Sequence, residues 1–424
     1  MRDGSKPAAW LRGIPVPIWT LGFVSMFMDI SSEMIHALLP AYLVGVVGAS
    51  ALTVGIIEGV AEATASIVKL FSGALSDWLG KRKVLAVAGY GLAALTKPIF
   101  PLASTIGWIA AARFLDRVGK GVRGAPRDAL VADLAPISLR GASFGLRQSL
   151  DTVGAFAGPS LAIALMWITS DHYQLVFWIA VIPAIIAVAL LQFGVQEPER
   201  TEPAQAPRWP LRLVGLKRLG GTFWLVTGVA MLLTLARFSE AFLLLRAQGA
   251  GLSVTLVPGV LVVMNLVYML VAYPAGLLSD RTNRINVLAA GMMLLILADL
   301  FLAIDGGLTV VVAGVALWGA HLGFTQGLLS ALLADAAPVE LRGTAFGIFN
   351  LVSGVALLIA SVVAGVLWER YGPPATFASG AALTVVALLS LAAIRRRVSG
   401  QNTASPAQVS GPDAVQAPRD RPQR

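Results

Sequence analysis

There is no cysteine among the 424 residues, which removes disulfides, thiolate metal sites and cysteine nucleophiles. Charge is scarce too. Only 13% of the residues are Asp, Glu, Lys or Arg, against roughly 25% in soluble domains. Histidine occurs three times. The chain contains neither an HExxH helix motif nor a GxxxxGK[ST] phosphate loop, so zinc-protease chemistry and ATP-driven pumping lack their usual residues. No catalytic set and no bound cofactor or metal are expected. What is abundant is apolar: 57% of the residues are hydrophobic and the mean hydropathy is +0.77. A soluble fold of this length cannot bury so many apolar side chains, so the chain is read as an all-α membrane protein. The net charge of +9 sits in loops and tails between apolar runs. That is how a membrane protein keeps one side in place, and no nucleic-acid partner is inferred.

A membrane-spanning helix needs about 20 apolar residues. Twelve runs qualify: 15–45, 51–74, 84–103, 106–132, 139–168, 175–195, 221–247, 252–276, 285–304, 308–334, 341–368 and 374–394. The first is read as an uncleaved helix, because its apolar character continues past Ala41 without a cleavage motif. The turns near 48–52, 104–107, 169–174 and 305–308 have no Lys or Arg. The opposite turns carry Lys81, Arg82 and Lys83, Arg281 and Arg284, and Arg342. The positive-inside rule then places these turns and both termini in the cytoplasm, with the chain in the cell inner (plasma) membrane. The Pro- and charge-rich stretch 196–220 divides a six-helix unit at 1–195 from another at 221–396. The polar tail 397–424 is expected to be disordered.

The two units repeat. Gly73-Ala-Leu-Ser-Asp77 returns as Gly276-Leu-Leu-Ser-Asp280, and DLAPISLRGASFG from Asp133 returns as DAAPVELRGTAFG from Asp335. Two separate segments at nearly one offset indicate a duplicated six-helix half. Transporter folds carry such repeats, with the substrate site between them.

Three motifs carry a family resemblance. GALSDWLGKRKVL at 73–85 resembles the loop signature of the major facilitator superfamily. That resemblance implies a conformational latch made by Gly73, Asp77, Gly80 and Arg82, with Gly276, Asp280 and Arg284 as a weaker second copy that has Asn283 in place of the glycine. Arg113 followed by Gly119 and Gly121 resembles the family's second signature, whose arginine is linked to proton coupling; here Asp116, Arg117 and Lys120 stand among the glycines. Gly145, Gly154 and Gly158-Pro159 resemble the helix-packing signature of antiporters, with Ala162 and Ile163 where a closing glycine pair would stand. The resemblance implies twelve transmembrane helices in two pseudo-symmetric halves. It further implies a small-molecule cargo moved by alternating access, a lipid bilayer as surroundings, a proton gradient as the energy source, and a monomer.

Charges at membrane depth are costly unless paired or hydrated. Six acids (Asp29, Glu33, Glu58, Glu62, Asp116, Asp151) and six bases (Lys69, Lys97, Arg113, Arg117, Lys120, Arg147) lie within apolar runs of the first half. Equal numbers predict a paired network. Asp29, Glu33 and His36 share one helical stripe, and a carboxyl there can take a proton from one side and release it to the other. Histidine titrates near neutrality and suits the same task. Asp29, Glu33, His36, Arg113 and Asp116 are therefore the proton-coupling candidates. Glu58, Glu62, Asp151, Arg237, Glu240, His321 and Gln326 are the cavity candidates, with Arg237 and Glu240 expected to pair at i, i+3. The fewer charges of the second half predict a more apolar substrate surface there. A proton-coupled exporter is the reading that results. Import of a small metabolite, or export of a divalent metal held by Asp29, Glu33 and His36, stays open at this point.

Overall fold

The computed structural model describes residues 13–79, 81–136, 139–196, 219–337 and 342–403. The described residues form helices and no strands. The helices are α1 (Val16–His36), α2 (Leu39–Gly45), α3 (Ala51–Leu79), α4 (Arg82–Thr96), α5 (Ile99–Leu102), α6 (Ile106–Leu134), α7 (Arg140–Ile168) and α8 (Tyr173–Gly194) in the first half. The second half has α9 (Gly221–Ala236), α10 (Ala241–Gly249), α11 (Gly259–Arg281), α12 (Arg284–Ala303), α13 (Gly307–Ala336) and α14 (Arg342–Thr403). Gly372, at φ 79°, breaks α14 into two arms, a left-handed conformation that glycine adopts without steric cost.

Nine segments of the described residues are long and apolar enough to cross a membrane. The last of them spans the Gly372 break and is two arms. Helices α1 and α6 are long but too polar for that group, because α1 carries Asp29 and Glu33 and α6 carries charges from Arg113 to Asp133. These helices fall on apolar runs of the sequence.

Four runs read as continuous are interrupted. The first stops at Ala37 and Leu38, ahead of Pro40, and the third stops at Lys97, ahead of Pro98. Proline lacks the amide a continuing helix needs. The eighth opens with a single 3-10 turn, Val254–Leu256, ahead of Pro258. The seventh breaks at residues 237–240, where there is no proline. The expected linker at 196–220 lies almost wholly outside the described residues, as do Gly80 and residues beyond 403. The backbone remains helical to Thr403, further than the tail expected from 397.

Within the first half α1 packs on α7 and α8, and α6 packs on α3 and α4. Within the second half α13 packs on α11 and α12, and α14 on α9 and α12. The halves meet along α3 and α14, and also through α7 with α11 and α2 with α10. At the end away from the basic turns, Asp171 accepts a hydrogen bond from Thr255 at 2.5 Å, and Glu369 accepts one from the Leu52 amide at 3.1 Å. These two bonds join the halves at that far end. Large apolar side chains such as Phe193 and Trp167 stay exposed on the exterior, as a lipid-facing surface requires.

Small residues bring the charged helices together. A β-carbon on Gly119 would lie 2.7 Å from the Gly89 carbonyl of α4, and one on Gly121 would lie 2.9 Å from the Ala65 carbonyl of α3. Helix α6 is thus pressed between α3 and α4 closely enough for its charged stripe to reach both.

Candidate functional site

A cavity of about 260 Å³ lies between the halves. Glu33 and His36 of α1, Glu58 and Glu62 of α3, Arg117 and Lys120 of α6, and Ala155 of α7 form the first-half wall. The opposite wall is made by Arg237, Phe238, Ser239 and Glu240, with Asn265, Trp318, Gln326 and Leu357. All four residues of the break between α9 and α10 therefore line the cavity. A discontinuous helix at the midplane is a recurrent way to present backbone and side chains to a cargo.

The break is held from behind. Ser361 Oγ accepts from the Ser239 amide at 3.2 Å, and Ser239 Oγ accepts from the Ala241 amide at 3.3 Å. Phe238 packs on Phe242, Trp318 and Phe377, with ring centroids 5.4–5.7 Å apart. The break also overturns one expectation. Arg237 and Glu240 do not share helical i, i+3 geometry, and no ion pair within 4.0 Å joins them. The second-half wall is mixed rather than apolar.

On the first-half side the charges form a chain. Glu33 Oε2 is 3.3 Å from His36 Nδ1, and His36 Nε2 is 3.4 Å from Glu58 Oε2. Arg113 clamps Glu58 with two bonds, Nε at 3.1 Å and Nη2 at 2.6 Å. Asp116 accepts from Lys97 Nζ at 2.8 Å, and Lys97 also donates to Ser32 at 3.0 Å. Arg117 reaches Glu62 at 3.3 Å and Asp116 at 3.8 Å. Exposure falls along the chain: 23% for the Glu33 side chain, 12% for His36, and 1–4% for Glu58, Arg113, Asp116 and Lys97. The chain runs from the cavity into dry protein.

The paired network expected from equal acids and bases exists with a different membership. Lys69 and Lys120 have no ion pair among the described residues. Arg123 and Arg127 replace them, with Arg123 4.0 Å from Asp29 and stacked 4.7 Å over the Tyr90 ring. Arg127 and Arg147 surround Asp128 and Asp151 at 3.1–3.8 Å. The sequence reading passed over Arg123, although it extends the α6 stripe by one heptad from Asp116.

Not every candidate reaches the cavity. Asp29 and Asp151 are absent from its wall and pair toward its basic end. His321 is fully buried, with Nδ1 2.8 Å from the Gly291 carbonyl. Arg113 and Asp116 lie one layer behind the wall. No group of three His, Asp or Glu placed to hold a metal ion occurs among the described residues.

The two helices of the antiporter-like motif touch at the acids. A β-carbon on Gly154 would lie 3.0 Å from that of Asp29, and one on Gly158 would lie 2.6 Å from that of Glu33. Nothing lies within 4 Å of such an atom on Gly145. At the basic end the repeated loops make equivalent pairs. Arg82 donates to the Ala129 carbonyl at 2.9 Å and to the Asp133 carboxylate, while Arg284 donates to Asp335. Asn283, the departure from the glycine, caps α12 by accepting from the Ile285 amide at 2.9 Å. A β-carbon on Gly73 would lie 3.3 Å from that of Ala125; Gly80 and the side chains of Asp77 and Asp280 lie outside the described residues.

Comparison with known proteins agrees with this geometry. The family model of the Major Facilitator Superfamily matches residues 21–356 and 230–420. An uncharacterized MFS-type transporter of Methanocaldococcus jannaschii is 30% identical over 388 residues, covering 90% of this chain and 95% of its own. An uncharacterized protein of Mycobacterium tuberculosis is 30% identical over 365 residues, covering 83% and 86%. The solved structure of the nucleoside transporter NupG superposes with a TM-score of 0.71 at 14% identity, covering 89% of this chain and 99% of that one. The chain belongs to the Major Facilitator Superfamily and is a multi-pass membrane transporter.

Proposed function

We propose that this transporter is a proton-coupled exporter of a small solute, working by alternating access in the inner (plasma) membrane as a monomer with both termini cytoplasmic. The observation that carries the coupling is the chain Glu33–His36–Glu58, which begins on the cavity wall and ends on a buried arginine. Glu33 and His36 are the members that water and cargo can both reach, so they exchange the proton. Glu58 and Arg113 hold His36 in place from behind. Asp29 acts as a positioning residue against Arg123 and Gly154.

Export is supported by the motif in which Gly154 and Gly158 seat the acid-bearing face of α1 on α7. The hydrogen bonds Asp171–Thr255 and Glu369–Leu52 close the far end. In this reading that end faces outward, and the Arg82–Asp133 and Arg284–Asp335 pairs brace the cytoplasmic loops that latch the opposite state.

The test uses proteoliposomes placed in a bath holding a library of small solutes and given a pH step. An antiporter accumulates its solute when the lumen is acidic and the bath neutral. Accumulation only when the bath is the acidic side would instead make the protein an importer. Flux that ignores the pH step in both directions would remove proton coupling.

A further inference from the structure

Three donors on the cavity wall make no hydrogen bond or ion pair among the described residues. Lys120 from the first half and Arg237 from the second have no hydrogen bond or ion pair among the described residues, yet both line the cavity. Trp318 lines it as well, fully buried, and its indole N–H is unpartnered. The other basic groups of the wall are engaged: Arg117 with Glu62 and Asp116, and His36 with Glu33 and Glu58. What remains is two cations and a neutral donor, all of which give hydrogen bonds and accept none. The Trp318 N–H is a buried donor without an acceptor, which is costly; Lys120 is exposed and Arg237 half-buried, each with wall carboxylates only beyond ion-pair distance. An incoming anionic group supplies the Trp318 N–H with an acceptor and meets both cations.

One acid is also left over. Glu33, Glu58 and Glu62 each have a basic partner within 4.0 Å, whereas Glu240 makes no ion pair among the described residues and meets His36 and Arg237 only at longer range. An ionised carboxylate only accepts hydrogen bonds, and its natural complement is an ammonium. The volume of about 260 Å³ falls below the roughly 300–1,000 Å³ of sites for drug-sized ligands, so the cargo has the dimensions of an amino acid.

We propose that the cavity takes a small zwitterionic organic acid, with its carboxylate held between Lys120 and Arg237 and against the Trp318 N–H, and its ammonium on Glu240. The proposal rests on the transporter reading and names the substrate class of that site. Because Lys120 and Arg237 belong to opposite halves, the carboxylate joins the two bodies that alternating access must move together.

The experiment measures binding to the full chain in lipid nanodiscs with a four-carbon series: 4-aminobutyrate and 2-aminobutyrate as zwitterions, butyrate, butylamine and butanamide. At least one zwitterion binds, about tenfold or more tighter than the acid, the amine and the amide. Lys120→Gln and Arg237→Gln each weaken it about tenfold or more, whereas Lys120→Arg and Arg237→Lys keep most of the affinity. Glu240→Gln inverts the preference toward butyrate. The proposal falls if the amide or the amine binds as well as the zwitterions, if no member binds, or if Lys120→Gln and Arg237→Gln leave affinity unchanged with an unaltered melting profile. The transport reading is judged separately by solute flux in proteoliposomes. Flux of a neutral solute keeps that reading and sinks the charge assignment. Binding of a zwitterion without any flux keeps the charge assignment and sinks the exporter.

Discussion

At the scale of single residues, position along the charge chain separates roles that residue type alone leaves equal. Glu33 meets the cavity and is partnered by a titratable histidine, whereas Asp29 faces Arg123 away from the wall. Glu33→Gln is therefore expected to abolish pH-driven accumulation while leaving solute counterflow at equal pH. Asp29→Asn is expected to lower both together through misplacement of α1. Counterflow and pH-driven flux measured on the same vesicles check this, and a Glu33→Gln variant still driven by pH would refute the coupling role. Lys97 and Asp116 are nearly dry, 2–4% exposed at their side chains, and lie behind the wall. Lys97→Met leaves Asp116 with Arg113 at 4.0 Å and Arg117 at 3.8 Å but without its 2.8 Å partner. A loss on the order of 3–5 kcal/mol is expected for breaking such a buried pair, seen as a lower melting temperature in detergent. The double change Lys97→Met with Asp116→Leu is expected to recover part of it. No recovery would mean that Asp116 serves Arg113 and Arg117 more than Lys97.

Helices set which of these residues can meet, and here the amino-acid pattern was legible in part. Runs of apolar residues located the nine membrane-length segments of the described residues. The stripes on α1 and α6 announced that both helices face inward, and the glycines of α6 and α7 sit where those stripes press on neighbours. The break at 237–240 was not legible, because no proline or glycine marks it. It is imposed by tertiary contacts, namely Ser361 on the Ser239 amide and the aromatic cluster around Phe238. The Arg237–Glu240 pairing failed for the same reason. His321 misled because helical position says nothing about which neighbour a buried ring will find, here the Gly291 carbonyl. Two changes test the elements. Gly158→Ala puts a β-carbon 2.6 Å from that of Glu33; α1 must then shift, and loss of pH-driven flux is expected with the protein still folded. Ser361→Ala strands the Ser239 amide, at a cost of about 1–3 kcal/mol for an unsatisfied buried donor. A thermal melt measures it, and an unchanged melt would show that the aromatic cluster alone holds the break.

On the scale of the whole molecule, the proposed alternating access requires two halves that close at one end while opening at the other. Each half is braced internally by a duplicated pair, Arg82–Asp133 and Arg284–Asp335, so that the offset visible between the sequence repeats is also an offset between structural braces. The contacts that must break during transport are those between halves. The turn bearing Asp171 is already strained, with Ser170 at φ 53° and Asp171 at φ 65°, conformations uncommon outside glycine, and Asp171 reaches across to Thr255. The turn is held locally by the Asp171 amide on the Met166 carbonyl at 2.9 Å, so the bond to Thr255 can part without unfolding it. Because the chain has no cysteine, the closure can be fixed without background. In an Asp171→Cys, Thr255→Cys variant bridged by a short bifunctional thiol reagent, solute should still bind from the basic end while transport stops, and cleavage of a reducible bridge should restore transport. Separate single-cysteine variants treated alike should keep their flux. Continued transport through the bridged protein would mean that the halves do not part at this turn, and the far end would then have to open at the Glu369–Leu52 bond and between α2 and α10.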